Sequence, residues 1–193
     1  MARLAGIDYS LTSPSVCTYS GESKDFAFET CDIYFLSSTK KYSEYSFKNI
    51  DGQSTIFTYE YPEERYDFIS DWAIDIVLTN EIETVYIEDY SYNSTGKIFH
   101  IAENCGLLKW KLWNSEIDYH LVSPAEIKKF ASGKGNANKD LMYESFISST
   151  DVDLKQYLES KSTKIGNPIS DIIDSYYICK YGINLLDKGE IIL

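Results

Sequence analysis

The chain has 193 residues, 44% of them hydrophobic and 25% charged, which is enough for one domain, 1–193, with a three-layer core. Its net charge of −12 argues against plain duplex nucleic acid as the main partner, because phosphate contacts need Lys and Arg. No stretch is apolar and long enough to cross a membrane as a helix, and no charged-then-apolar leader opens the sequence. Cys17, Cys31, Cys105 and Cys179 are scattered and make no CxxC pair, so reduced, buried thiols in a cytoplasmic protein are expected rather than a zinc site.

Arg3 to Leu11 reads as a first strand, with Asp8 in its middle. A carboxylate among apolar neighbours either points to solvent or lies beside a cation. Thr12-Ser13-Pro14 is turn chemistry, and Ser15 to Tyr19 is a second strand. Phe26 to Leu36 is a third, rich in aromatic residues. Residues 37–60 are rich in Ser, Lys and Tyr and read as a long connection with room for an extra hairpin. Pro62-Glu63-Glu64 opens an amphipathic helix over 63–79. Glu83 to Tyr90 is a strand ending in Glu88 and Asp89, 97–113 a helix, and 119–122 a short strand. Ser123-Pro124 starts a helix, Asn138 caps another, and Ser170 is placed to cap the last, 171–181. Trp110 and Trp113 read as core or interface residues, and His100 and His120 as ordinary polar ones.

Three strands that can meander, followed by alternating helices and strands, imply right-handed parallel crossovers. The expected fold is α/β, ribonuclease-H-like: a five-stranded mixed sheet, three strands antiparallel and then parallel, flanked by helices.

Charge is distributed unevenly. From Lys97 to Lys139 there are seven Lys against four acids. Four acids also occupy suggestive places: Asp8 in the first strand, Glu88 at the end of a later one, and Asp171 and Asp174 on one face of the last helix. Like charges brought together need a cation. Hard oxygen donors suit Mg²⁺ or Mn²⁺, and two such ions can clamp a phosphodiester for in-line attack.

Four blocks resemble the RuvC family of Holliday junction resolvases. They are Gly6-Ile7-Asp8-Tyr9-Ser10-Leu11-Thr12, Tyr86-Ile87-Glu88, Gly133-Lys134-Gly135-Asn136-Ala137-Asn138-Lys139 and Asp171-Ile172-Ile173-Asp174-Ser175. Their order and spacing are similar to the family's, and Ile101 to Gly106 resembles it too. The resemblance implies that Asp8, Glu88, Asp171 and Asp174 hold two Mg²⁺ or Mn²⁺ ions per site. It implies that Lys134 and Lys139 approach DNA phosphate, with Lys128 beside the Gly-rich block in the same role. It also implies a homodimer that nicks a four-way junction symmetrically. The chain departs from the family in its acidity, in the segment 37–60, and at Ser91, where an aromatic residue is expected. Tyr90 and Tyr92 flank that position and are the candidates for stacking on a branch-point base. These departures suggest a phage-type member, acting in a bacterial or phage-infected cell.

Other readings share parts of this pattern. Gly-Ile-Asp-x-Ser at a first strand also resembles actin-like kinases, but 193 residues leave no second lobe. A non-catalytic protein-binding module would be free to lose one of the four acids, and all are present. A nuclease of RNA–DNA hybrids or other branched DNA would keep the acids and change the surface.

Overall fold

The computed structural model describes residues 1–54, 58–89 and 98–190. β1 (Ala2–Asp8) alternates its side chains between two cores: Leu4 enters one, Ala5 and Ile7 the other. A strand buried on both faces is apolar on both. β2 (Ser15–Gly21) runs antiparallel to β1, from Ala2↔Gly21 to Asp8↔Ser15. Asp8 is therefore the last residue of the strand, not its middle. The Ser13 N–H donates to Ser10 Oγ at 3.0 Å and turns the chain where extension to Leu11 was expected.

β3 (Asp32–Ser37) pairs antiparallel with β2 and is shorter than the expected strand over Phe26–Leu36. Phe28–Thr30 is a 3-10 turn, and Phe28 packs edge-on against Phe146 and Tyr176. The aromatic run is thus core filling as much as strand.

The segment 37–60 supplies two more strands, β4 (Glu44–Phe47) and β5 (Ile50–Ser54). They form an antiparallel hairpin, and β5 runs parallel to β3 from Ile33↔Ile50 to Ser37↔Ser54. With β6 (Thr84–Glu88) and β7 (Asp118–Val122), both parallel to β1, the described residues form a seven-stranded sheet. Its order is β4-β5-β3-β2-β1-β6-β7. The expected count of five fails because no residue of β4 is buried. An edge strand can form on backbone hydrogen bonds alone, so it leaves little hydrophobic periodicity to read.

α1 (Pro62–Thr79) and α2 (Ile98–Asn114) cover the Ala5 and Ile7 face through Ile69, Ala73 and Val77, and Cys105, Leu108 and Leu112. The other face carries α3 (Pro124–Ser132), α4 (Lys139–Thr150), α5 (Leu154–Tyr157) and α6 (Ile169–Lys188). Ser123 caps α3 by accepting from the Glu126 N–H, and Asn138 caps α4 by accepting from the Leu141 N–H at 2.9 Å. The four cysteines are buried and free. Trp110 and Trp113 are exposed, which removes them from the core. No helix among the described residues is long and apolar enough to cross a membrane.

α6 lies directly on β1. A Cβ at Gly6 would stand 2.2 Å from the Cys179 nitrogen and 2.5 Å from the Ser175 carbonyl oxygen. Further along, a Cβ at Gly182 would stand 2.5 Å from the Tyr86 ring. Gly6 lets β1 meet α6 at backbone distance, and Gly182 makes room on α6 for the Tyr86 ring of β6. The buried hydroxyls of Ser15 and Ser175 bond at 2.9 Å and fix the helix along its axis.

Candidate active site

Parity and register place the acids. β1 and β6 are parallel neighbours, paired up to Ile7↔Ile87. The next residues are Asp8 and Glu88, at the C-terminal ends of adjacent strands. Ile7 and Ile87 face the α1/α2 core. Alternation therefore turns Asp8 and Glu88 to the opposite face, where α6 lies. Asp171 is one helical turn before Ser175, the residue that touches Gly6, and Asp174 is three residues further along the helix from Asp171. The sheet and α6 thus bring Asp8, Glu88, Asp171 and Asp174 to one crevice.

Their electrostatics agree. Burial, then repulsion from Asp171, Glu88 and Asp174, holds the Asp8 carboxyl well above the usual carboxylate range, with Lys139 opposing. Burial pushes Glu88 to about 7, against the pull of Lys128. Asp174 is pushed to about 8 by burial and by the charges of Glu88 and Asp171, with Lys128 and Lys139 opposing. Asp171 reaches only about 6. Burial raises it, and hydrogen bonds from Ser13 and Ser170 together with the Lys139 ammonium restrain it. Asp8 and Asp174 are raised by the other acids as well as by burial, and such crowding of carboxylates is relieved by a cation.

A small polar network orients one of them. Lys139 Nζ donates to Ser170 Oγ at 3.0 Å and to Asn167 Oδ1 at 3.3 Å. Ser170 Oγ lies 3.0 Å from Asn167 Oδ1 and 3.2 Å from Asp171 Oδ1, and its single proton can serve either acceptor. Asn167 Nδ2 donates to Ser13 Oγ. The result engages Asp171 Oδ1 and leaves Asp171 Oδ2 buried without a hydrogen-bond partner. Ser170 does not cap α6, as its position suggests; Pro168 occupies the cap and Ser170 is buried in the first turn. Ser13, Asn167 and Ser170 are site residues that sequence reasoning misses. The only signal is that each stands beside a turn or break near an acid.

Of the lysines expected at the site, Lys128 and Lys139 act on the acids and line a cavity of about 280 Å³ together with Asp174, Ser170 and Asn138. Lys134 is exposed in the loop before α4 and lines a separate shallow hollow with Asp140 and Glu144. Tyr90 and Tyr92 lie outside the described residues.

Among the described residues, no three His, Cys, Asp or Glu side chains are gathered closely enough to make a ready metal cage. The donor set nonetheless fits a hard divalent cation. It is all carboxylate, it is buried against mutual repulsion, and it holds an orphaned oxygen on Asp171.

No protein-family model and no curated protein matches the sequence. Solved structures do match. Thermus thermophilus RuvC in complex with Holliday junction substrate has a TM-score of 0.61 at 12% identity, over 95% of this chain and 96% of that one. The yeast mitochondrial Holliday junction resolvase Ydc2 gives 0.55 at 13% identity, over 97% and 80%. The Fowlpox virus resolvase with substrate Holliday junction DNA gives 0.51 at 15% identity, over 95% and 98%. The chain therefore shares the overall fold of these Holliday junction resolvases, a mixed sheet flanked by helices as expected, with seven strands among the described residues where five were expected.

Proposed function

We propose that this chain is a metal-dependent endonuclease of branched DNA, with the four-way junction as its substrate. The observation that carries the reading is the convergence of Asp8, Glu88, Asp171 and Asp174 at one crevice with Lys128 and Lys139 beside them. Two of the matched structures are complexes with Holliday junction DNA, which supports the choice of substrate.

In this reading the four carboxylates hold one or two Mg²⁺ or Mn²⁺ ions, which when bound supply Lewis-acid stabilisation and a lowered pKa for water. The chain's own residues do the rest. Ser170 holds Asp171 through Oδ1, Ser13 also restrains this carboxylate, and Oδ2 is left buried without a partner. Lys139, held by Ser170 and Asn167, and Lys128 present positive charge to a phosphate oxygen. Lys134 extends that surface past the rim of the site. One crevice cuts one strand, so paired nicks in opposed strands call for a homodimer with two sites related by a two-fold axis. The working place is the cytoplasm of a bacterial or phage-infected cell.

The test is cleavage by the purified protein, with Mg²⁺ and with Mn²⁺, of a four-way junction, a flap, a duplex and an RNA–DNA hybrid. Metal-dependent nicking of the junction above the others is expected. Cleavage of the hybrid with the junction left intact would overturn the substrate, and no cleavage of any nucleic acid would overturn the nuclease.

A further inference from the structure

A phosphodiester at the acids is one link of a charged polymer, and its neighbours must pass over the surrounding rim. Apart from Lys128 and Lys139, the chain carries a second concentration of Lys. Residues 38–48 and 155–167 together carry six Lys (40, 41, 48, 155, 161 and 164) against Glu44 and Glu159, in a chain of net charge −12. The two segments are distant in sequence and locked together in space. Lys41 Nζ donates to the carbonyls of Leu158 at 2.6 Å and Glu159 at 2.8 Å. Tyr45 Oη donates to the Tyr157 carbonyl at 2.6 Å, and Lys48 Nζ stands 4.1 Å from the centre of the Tyr157 ring.

The placement follows from the sheet. Ser15 pairs with both Asp8 and Phe35, so the end of β3 and the Lys40–Tyr42 turn beyond it lie at the same end of the sheet as the acids. Three strands stand between β1 and β4 on that side, so β4 lies about 19 Å from β1 at the usual strand spacing. From Glu159 the chain runs back to Asn167, which accepts from Lys139 at the site. Lys161 and Lys164 sit on that return path. Lys41, Lys48 and Lys155 engage their ammonium groups with carbonyls, a hydroxyl or rings. Lys40, Lys161 and Lys164 are exposed and make no hydrogen bond or ion pair through their side chains among the described residues.

We infer that Lys40, in the turn before the β4–β5 hairpin, and Lys161 and Lys164, on the link after α5, form a second phosphate-binding surface that holds a duplex arm of the DNA cut at the acids. The inference rests on the nuclease reading above. It also explains the segment 37–60, whose hairpin extends the sheet edge so that the turn before it can support the arm. A run of phosphates is favoured over an acidic protein, because the chain that carries Lys161 and Lys164 leads directly to Asn167, the residue that holds Lys139 beside the acids.

The experiment is a salt titration of junction binding, without divalent cation, by wild type and by the triple variants Lys40→Ala/Lys161→Ala/Lys164→Ala and Lys40→Arg/Lys161→Arg/Lys164→Arg. Loss of three phosphate contacts makes the slope of log affinity against log salt shallower by about 2.7, at about 0.9 per contact. The Arg variant keeps the wild-type slope, and all three proteins keep the same melting temperature. An Ala variant that binds the junction with the wild-type slope overturns the inference and leaves the nuclease reading intact. A wild-type protein that neither binds nor cuts branched DNA overturns both.

Discussion

At the scale of single residues, the candidate site is a set of acids that hold protons well above their ordinary range. Asp174 and Glu88, at about 8 and 7, keep protons in the folded chain that they give up near their ordinary values of 3.8 and 4.5 when unfolded. The folded state then binds more protons than the unfolded one across that window. Stability is greatest below about pH 4 to 5 from these groups and falls as pH rises towards 8. In metal-free buffer the melting temperature is therefore expected to drop between about pH 5 and 8, less steeply in Asp174→Asn, and Mg²⁺ should restore it in wild type. A flat metal-free profile in wild type would show that the acids do not crowd one another. Changing Asp8, Glu88, Asp171 or Asp174 singly to the amide should abolish metal-dependent cleavage and leave DNA binding largely intact. Two or more such variants cutting at the wild-type rate would mean that the site is elsewhere. Ser170→Ala frees Asp171 Oδ1 and Lys139 together, and a loss of about 10- to 100-fold in apparent metal affinity is expected, as for other residues that orient a ligand. The four acids are singled out by the ordered blocks and by the helix spacing of Asp171 and Asp174, while the end of β1 at Asp8 is not legible, because the turn that stops the strand is made by a side-chain contact of Ser10. Ser13, Asn167 and Ser170 are not legible either, because their contacts join a turn after β1 to the start of α6, more than 150 residues apart.

At the scale of elements, α6 on β1 is the joint that assembles the site. The strand carries Asp8 and the helix carries Asp171 and Asp174, so their separation is set by how closely the two backbones meet at Gly6. Gly6→Ala would drive a methyl group against backbone atoms that cannot rotate away. A destabilisation of about 1–3 kcal/mol or more is expected, measured by urea unfolding, with cleavage lost in proportion to any displacement of the helix. Unchanged stability would mean that helix and strand separate at little cost. Elements with strong periodicity are legible: β1, β2, β6, α1, α2 and α6 all appear where the pattern puts them, with ends shifted by a few residues except in α6, which runs seven residues past its expected end at 181 to Lys188. The edge hairpin is only a possibility within 37–60, since β4 buries nothing and Lys48 takes a positive φ of 56° in the turn that joins its strands. Phe26 to Leu36 misleads in the opposite direction. Its aromatic residues satisfy a strand's composition while half of them lie ahead of β3, around a 3-10 turn.

At the scale of the whole molecule, the charge of −12 describes an acidic body, with Lys128 and Lys139 as the positive charge beside its acids. In the junction-nuclease reading, such a body would repel plain duplex and need a shaped substrate to bring several phosphates to the lysines at once. A four-way junction with two-fold symmetry is such a substrate, and two copies of this chain about the same axis would present two crevices to it. The number of crevices can be counted by poisoning one. Wild-type chain is co-expressed with Asp8→Asn chain under a separate tag, and the mixed species is isolated through both tags. A dimer so made has one working site, so it is expected to nick a junction once and stop, where wild type nicks opposed strands in one encounter. The mixed species should bind the junction as tightly as wild type, since the lysines are intact in both chains. Failure to recover any doubly tagged species, with a solution mass of one chain, would remove the dimer. Paired nicks from the mixed dimer would show instead that one crevice reaches both strands in turn, and would separate the question of how the junction is resolved from the question of how many chains hold it.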